Sequence, residues 1–372
     1  MSQELLINGD NAFARIIERI RAAKETIYIN MFIWRDDQIG NEIAREILDA
    51  ADRGVSIKIV KDKVGSVFEK SEEVKQSLFH KQFDFGIFLQ QYVMAKCYFG
   101  YVKKLDGRQR GNQYLEKILS HDNIDIDANN KRNDHSKFYI FDNKILIMGG
   151  VNIEDKEVSF DMLQRKWADY MIEIVDENIV DRFLKKLEAK ENMLKNEAFD
   201  FYFNLNSKGI FQVKPKTLEI MENTRVSLDI EMAYFGDRDV TQKIIECANR
   251  GVKVSMITSK VSNIQNALNH YVLDMISRET QNKVDIYLSK RVVHAKLICA
   301  DNETFFFGSA NFNKRGMASL SELNVLVKND RALIDRWRAW RNQHLKECEQ
   351  YSSRNKPVYS KPMAIMESLF CG

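Results

Sequence analysis

A chain of 372 residues is too long for one small core and fits two domains of ordinary size. With 44% hydrophobic and 29% charged residues it has the composition of a soluble globular protein, and a net charge of +3 gives no strong vote for nucleic acid, though it does not exclude it. Five scattered cysteines without a C-x-x-C argue against a zinc site or a disulfide framework and fit the reduced thiols of a cytosolic protein. The start M-S-Q-E-L-L lacks the layout of a signal peptide, and no run of eighteen apolar residues predicts a spanning helix.

In chain order, Phe13, Ile16, Ile17 and Ile20 have the spacing of an amphipathic helix over residues 11–24. A buried strand is predicted over 26–34, a helix over 40–52 with a glycine stop at Arg53-Gly54, and a strand over 55–60. The same order returns as a short helix over 217–223, a strand over 226–234, a helix over 239–248 stopped at Arg250-Gly251, and a strand over 252–257. A-A-D-R-G-V-S-I-K-I-V stands against C-A-N-R-G-V-K-V-S-M-I, so a whole domain is repeated. Alternating strands and helices imply α/β lobes with mixed sheets, the first lobe over 1–196 and the second over 197–372.

The repeats differ in length. From Gly54 to His135 is 81 residues, from Gly251 to His294 only 43, so the first lobe carries an insertion, placed at about 66–115. Its stretch 79–104 is dense in Phe and Tyr and ends in Lys103-Lys104. The two readings are a lid or interface packed by aromatics, and a surface lying on a membrane with its lysines on headgroups. Residues 176–196 read as a charged helix joining the halves, 199–215 as a connector, 331–348 as a closing helix with Trp337 and Trp340 on the sheet, and the chain after Tyr351 as a loose tail.

One stretch occurs twice. H-S-K-F-Y-I-F-D-N-K-I-L-I-M-G-G-V-N runs from His135 to Asn152, and H-A-K-L-I-C-A-D-N-E-T-F-F-F-G-S-A-N from His294 to Asn311. His135, Lys137, Asp142, Gly149 and Asn152 recur at identical offsets as His294, Lys296, Asp301, Gly308 and Asn311. Each window reads as strand, turn, strand and glycine loop. An imidazole, an ammonium and an amide, joined in the second window by the Ser309 hydroxyl, then converge on one anion.

The pattern H-x-K-x4-D-x6-G-x2-N resembles the HKD motif of the phospholipase D superfamily, and its duplication resembles the two-lobed members. The resemblance implies an α/β fold of two lobes related by a pseudo-two-fold, each a mixed sheet flanked by helices, with the active site where the halves meet. It implies His135 as the nucleophile that forms a phosphohistidine and His294 as the acid and base. Lys137 and Lys296 would neutralise the phosphoryl oxygens, and Asn152, Asn311 and Ser309 would donate to them. Glu322, eleven residues after Asn311, and Asp169, the candidate of the first half, would fix the histidine tautomers. Asp142 and Asp301 sit at turns and read as structural, in ion pairs. No cofactor and no metal is expected, because the lysine pair does the neutralising.

Within the superfamily, M-F-I-W-R-D-D-Q-I-G, the ending Gly149-Gly150-Val151-Asn152 against Gly308-Ser309-Ala310-Asn311, and Trp167-Ala168-Asp169 resemble the bacterial cardiolipin synthase branch. Ala168 stands where that branch has arginine, Tyr170-Met171 where it has Thr-His, the insertion is foreign to it, and its N-terminal membrane helices are missing. The resulting reading is a phosphatidyltransferase or phospholipase D acting on glycerophospholipids. The protein would be a monomer with an internal pseudo-dimer, cytoplasmic or peripheral on the inner face of the cell membrane. The alternatives are a metal-independent nuclease and a non-catalytic phosphate- or lipid-binding protein, the latter disfavoured by two intact motifs.

Overall fold

T-I-Y-I-N-M and S-L-D-I-E-M are the strands about which the two sheets are laid down. The structure, a computed structural model, describes residues 2–72, 77–94, 112–158, 167–190, 199–352 and 355–370. These form two units, Met1–Lys166 with Tyr170–Lys185, and Trp167–Asp169 with Lys186–Gly372.

The first unit contains β1 (Ser2–Ile7), β2 (Thr26–Met31), β3 (Ser56–Lys61), β4 (Ile124–Asp127), β5 (Phe138–Phe141), β6 (Ile145–Gly149) and β7 (Tyr170–Val175). Among the described residues they form one sheet in the order β1-β7-β6-β5-β2-β3-β4. The second unit contains β8 (Phe199–Leu205), β9 (Ile210–Phe211), β10 (Ser227–Met232), β11 (Lys253–Ser259), β12 (Asp285–Ser289), β13 (Lys296–Ala300), β14 (Thr304–Gly308), β15 (Glu322–Lys328) and β16 (Cys348–Gln350), in the order β16-β12-β11-β10-β13-β14-β15-β8-β9. Without the edge strands β16 and β9, the two orders are the same. In each, β2 or β10 pairs in parallel with the next strand and antiparallel with the strand that opens the motif window. Both units are therefore mixed α/β.

The Arg-Gly pair of each repeat has one job in both. The helix Gln38–Asp52 ends at Arg53, and Gly54 turns the chain at φ +93°, which a side chain rarely adopts. The helix Arg238–Asn249 ends at Arg250, with Gly251 at φ +94°. Each arginine also reaches back to a carbonyl at the end of the helix before that one, Arg53 to Ile20 O of the helix Asn8–Ala22 at 2.9 Å and Arg250 to Thr224 O, just after the helix Val213–Asn223, at 3.1 Å. The cores fill in from there. Ile29, Ile43, Ile47 and Ile57 lie in one, and Ile230, Ile244, Val254 and Met256 in the other.

Two expectations are corrected. Residues 199–215 are not a mere connector. Phe199–Leu205 is a sheet strand antiparallel to β15, the counterpart of β1 on β7, and its Asp200 pairs with buried Lys186. Its apolar residues outweigh one aspartate once that aspartate has a cation. The chain after Tyr351 is likewise not a loose tail throughout, since Lys361–Phe370 is a helix against the helix Asn266–Glu279. There Glu367 accepts the Leu268 N–H at 2.6 Å, supplying the cap that Gln265 does not. Of the charged helix only Glu177–Leu187 is seen, and residues 191–198 lie outside the described residues. In the insertion, Gly65–Glu72, Phe85–Met94 and Gln113–Ser120 are helices, and 95–111 lie outside the described residues.

Candidate active site

The motif windows fold alike because the same few residues are forced in each. Asp142 and Asn143 take φ +50° and +52° between β5 and β6, as Asp301 and Asn302 do at +52° and +57° between β13 and β14. These are left-handed turn positions that Asp and Asn tolerate. Asp142 accepts the backbone N–H groups of Lys24, Glu25 and Thr26 at 3.1, 2.8 and 2.9 Å, and Asp301 those of Arg225, Val226 and Ser227 at 2.9, 2.7 and 2.9 Å. Partial burial works against each charge, but the amides prevail and hold both carboxyls below the usual range. The motif aspartates thus stitch the window to the start of β2 or β10. Backbone amides do this rather than the expected ion pairs. At the far end a Cβ on Gly149 would collide with the Tyr170 carbonyl, and one on Gly308 with the Leu323 carbonyl, so both positions require glycine.

In the first unit His135 precedes β5, its ring edge-on to Phe32 with centroids 4.8 Å apart. Lys137 is fully buried, and its Nζ donates to His135 O at 2.5 Å and lies 5.5 Å from the Phe32 ring centre. The approach to His135 is braced by side chains. Asp134 accepts from Ser136 N at 3.0 Å and Ser136 Oγ at 2.5 Å, and its own N–H donates to Asp62 Oδ2 at 2.6 Å. Burial pushes the Asp134 carboxyl up, against the pull of the Ser136 hydrogen bonds. Asn152 is buried. Its N–H donates to Glu157 Oε1 at 3.2 Å and its Nδ2 approaches Glu154 Oε1 at 3.4 Å.

In the second unit His294 precedes β13 and is buried. Its Nδ1 lies 2.7 Å from Asp169 Oδ2, and Lys296 Nζ lies 3.9 Å from the same oxygen and donates to His294 O. Trp167 covers the imidazole, with centroids 5.0 Å apart. Backbone does the bracing here. The N–H groups of His294 and Ala295 both donate to Ala168 O, at 2.8 and 3.0 Å. Asp169 was expected to serve the first half, but it holds the histidine of the second motif. Ser309 was expected to face a phosphoryl oxygen. Its Oγ donates to Glu322 and accepts the Leu323 N–H at 2.9 Å, so it positions the carboxylate. Glu322 and Ser309 are both buried.

Sequence reasoning missed a set of buried charges behind the first window. Glu69 accepts the Trp34 N–H at 2.7 Å and pairs with Lys61 at 3.0 Å, and Arg35 Nε donates to Glu154 Oε2 at 2.6 Å. Arg35 also donates to Glu69 O at 2.6 Å. The available signal was charge at the ends of apolar runs, Arg35 after M-F-I-W and Lys61 closing S-I-K-I-V-K. The second unit meets the same need without charge. Asn269 Oδ1 accepts the Phe235 N–H at 2.9 Å, and its Nδ2 donates to Ala233 O at 2.8 Å.

Two half-sites of this kind, each a histidine and lysine opening a strand of a mixed sheet and an asparagine closing the next, define a phospholipase D-like protein. The solved structure of phosphatidylserine synthase from Haemophilus influenzae Rd KW20 shares the fold at a TM-score of 0.72 and 14% identity, over 99% of this chain and 92% of that one. The family model described as "Cardiolipin synthase, PLD-like domain" matches residues 16–190 and 217–345. The chain belongs to this family and is an enzyme of the phospholipase D superfamily. A cardiolipin synthase of Clostridium perfringens (strain SM101 / Type A) is 24% identical over 352 residues, 88% of this chain and 67% of that protein. One of Listeria welshimeri serovar 6b is 23% identical over 346 residues, 87% of this chain and 65% of that protein.

Proposed function

We propose that the protein transfers a phosphatidyl group between alcohols on glycerophospholipids, as a cardiolipin synthase-like enzyme, through a phosphohistidine. The observation that carries the reading is the His294–Asp169 hydrogen bond beside Lys296. A carboxylate on Nδ1 keeps the proton there and assigns Nε2 to proton transfer.

In the first step His135 attacks phosphorus and an N–P bond forms. The P–O bond to the headgroup alcohol breaks, and the leaving oxygen takes a proton from His294. In the second, the hydroxyl of an acceptor lipid or of water gives its proton to neutral His294 and attacks phosphorus, and the N–P bond breaks. Lys137 and Lys296 offset the charge on the non-bridging oxygens, which otherwise repels the nucleophile. The amide oxygens of Asn152 and Asn311 are buried with no hydrogen-bond partner among the described residues, so each retains an acceptor for a hydroxyl of the substrate or of the attacking alcohol, and not for a phosphoryl oxygen. The substrate puts the enzyme at a membrane surface. No helix among the described residues is long and apolar enough to cross a bilayer, so the part described here would meet lipid from the side.

The test is product analysis on vesicles containing phosphatidylglycerol, with single-stranded DNA as a parallel substrate. Wild type should form cardiolipin or phosphatidic acid, and His135→Ala and His294→Ala should each lower the rate by about 10⁴-fold. DNA cleavage with inert lipid, or lipid turnover that survives both substitutions, would overturn the reading.

A further inference from the structure

The helix Phe85–Met94 in the insertion wears its apolar stripe on the outside. Phe85, Phe88, Leu89 and Tyr92 recur at the i, i+3, i+4, i+7 spacing that marks the face a globular protein buries. Here they are 69%, 38%, 53% and 40% exposed, and Phe83 just before them is 74% exposed with its ring 5.8 Å from that of Phe88. The buried positions are Ile87 and Gln91, whose amide donates to Lys70 O at 3.0 Å. Asp84 fixes the start, accepting the Ile87 N–H at 3.0 Å and pairing with Lys63 at 2.7 Å. The helix is thus held to its unit by one narrow side and turns four large apolar side chains outward, with Phe83 just before them making a fifth. Single exposed apolar residues are ordinary, but a contiguous face of five marks a place where something binds.

Charge indicates what that is. Lys131 Nζ lies 3.6 Å from where a Cβ of Gly86 would stand, while Lys63 and Lys81 beside the same stretch are already paired with Asp84 and Asp36. The sequence that follows, residues 95–111, carries Lys96, Lys103, Lys104, Arg108 and Arg110 against the single acidic Asp106. A second copy docking through this face would set like charge against like, Lys131 against Lys131. Anionic headgroups would neutralise it, and Phe and Tyr side chains suit the boundary between headgroups and acyl chains. Ten residues of helix are about 15 Å long, half of what spanning needs, so the helix lies along the surface.

We infer that Phe83, Phe85, Phe88, Leu89 and Tyr92 form the surface by which the protein docks on a bilayer containing anionic phospholipid. This rests on the phosphatidyltransferase reading for its purpose, not for its geometry.

The experiment compares wild type, the triple variant Phe85→Ser/Phe88→Ser/Leu89→Ser and the control Val358→Ser, a residue 98% exposed outside this face. Vesicle co-sedimentation is measured with phosphatidylcholine alone and with added phosphatidylglycerol, and turnover is measured on those vesicles and on monomeric dihexanoyl phosphatidylglycerol. Wild type and control should bind the anionic vesicles only. The triple variant should bind them about 100-fold more weakly and lose vesicle turnover in proportion, with turnover of the monomeric lipid and the melting temperature unchanged. Unchanged vesicle binding, binding to neutral vesicles as strong as to anionic ones, or a changed melting temperature or sedimentation coefficient would overturn the inference, the last meaning that protein covers the face. Vesicle binding lost in the variant while wild type turns over neither lipid would uphold the docking surface and refute the phosphatidyltransferase reading, so the two fail separately.

Discussion

The two units solve one backbone problem with different chemistry. After β2 and after β10 the chain turns away from the sheet and leaves a buried N–H, at Trp34 in one and Phe235 in the other. The second unit meets it with the neutral amide of Asn269. The first meets it with the Glu69 carboxylate, which then needs Lys61, while Arg35, where the second unit has Gly236, needs Glu154. The need is set by the fold and the charge is not. A buried carboxylate brings the cost of a buried cation with it, whereas an amide ends the matter locally. In the first unit this ties the insertion helix Gly65–Glu72 through Arg35 to Glu154, two residues from the motif Asn152.

The histidine approaches differ in the same sense. Asp134 and Asp62 brace His135 through side chains, while the carbonyl of Ala168 braces His294 and Asp169 takes its imidazole. Asp169→Asn tests this most severely. It preserves the shape but not the preference for a proton on Nδ1, so turnover should fall by about 10³-fold, with the thermal midpoint near that of wild type. A small loss would mean that Asp169 holds the loop and not the tautomer.

Stability separates the charged from the neutral solution. Glu69→Ala strands Lys61 in the interior and should cost about 3–5 kcal/mol in urea unfolding. Asn269→Ala should cost only about 1–3 kcal/mol, the price of unmade hydrogen bonds. Equal costs would mean that the charged and the neutral solution bind the buried N–H at the same expense.

Where the units agree, substitutions should agree. Asp142→Ala and Asp301→Ala each remove a carboxylate that binds three backbone N–H groups at the edge of the protein, and each should cost about 1–3 kcal/mol. A large difference between them would show that one has a further role.

The remaining contrast is a slope with pH. Burial pushes the Asp37 carboxyl up to about 7, helped by the charges of Asp155 and Glu154 and opposed by N–H donors from Asp155 and Gly40. Between pH 4 and 7 the folded protein keeps a proton that the unfolded chain gives up, so this group makes stability fall as pH rises through that window and level off above it. Asp37→Asn keeps an oxygen on the Gly40 N–H at the helix start and should flatten the slope in urea titrations from pH 4 to 8. An unchanged slope would assign it to other groups.

The half-sites were legible in the sequence because five positions per window are each fixed by a local demand. A turn needs Asp-Asn, a close approach needs Gly149 and Gly308, and the proposed chemistry needs His, Lys and Asn. The repeat was legible through Arg-Gly, where the arginine caps carbonyls and the glycine turns the chain at positive φ. The strand nature of Phe199–Leu205 and the docked helix Lys361–Phe370 were not, because each depends on a distant partner, β15 in one case and the helix Asn266–Glu279 in the other. Nor could the sequence say that Asp169 serves His294, 125 positions away, or that Ser309 is spent on Glu322. Residue spacing records what a segment needs from its own neighbours along the chain. A carboxylate on an imidazole, or an apolar stripe left facing outward, is decided only by which surfaces the folded backbone brings together.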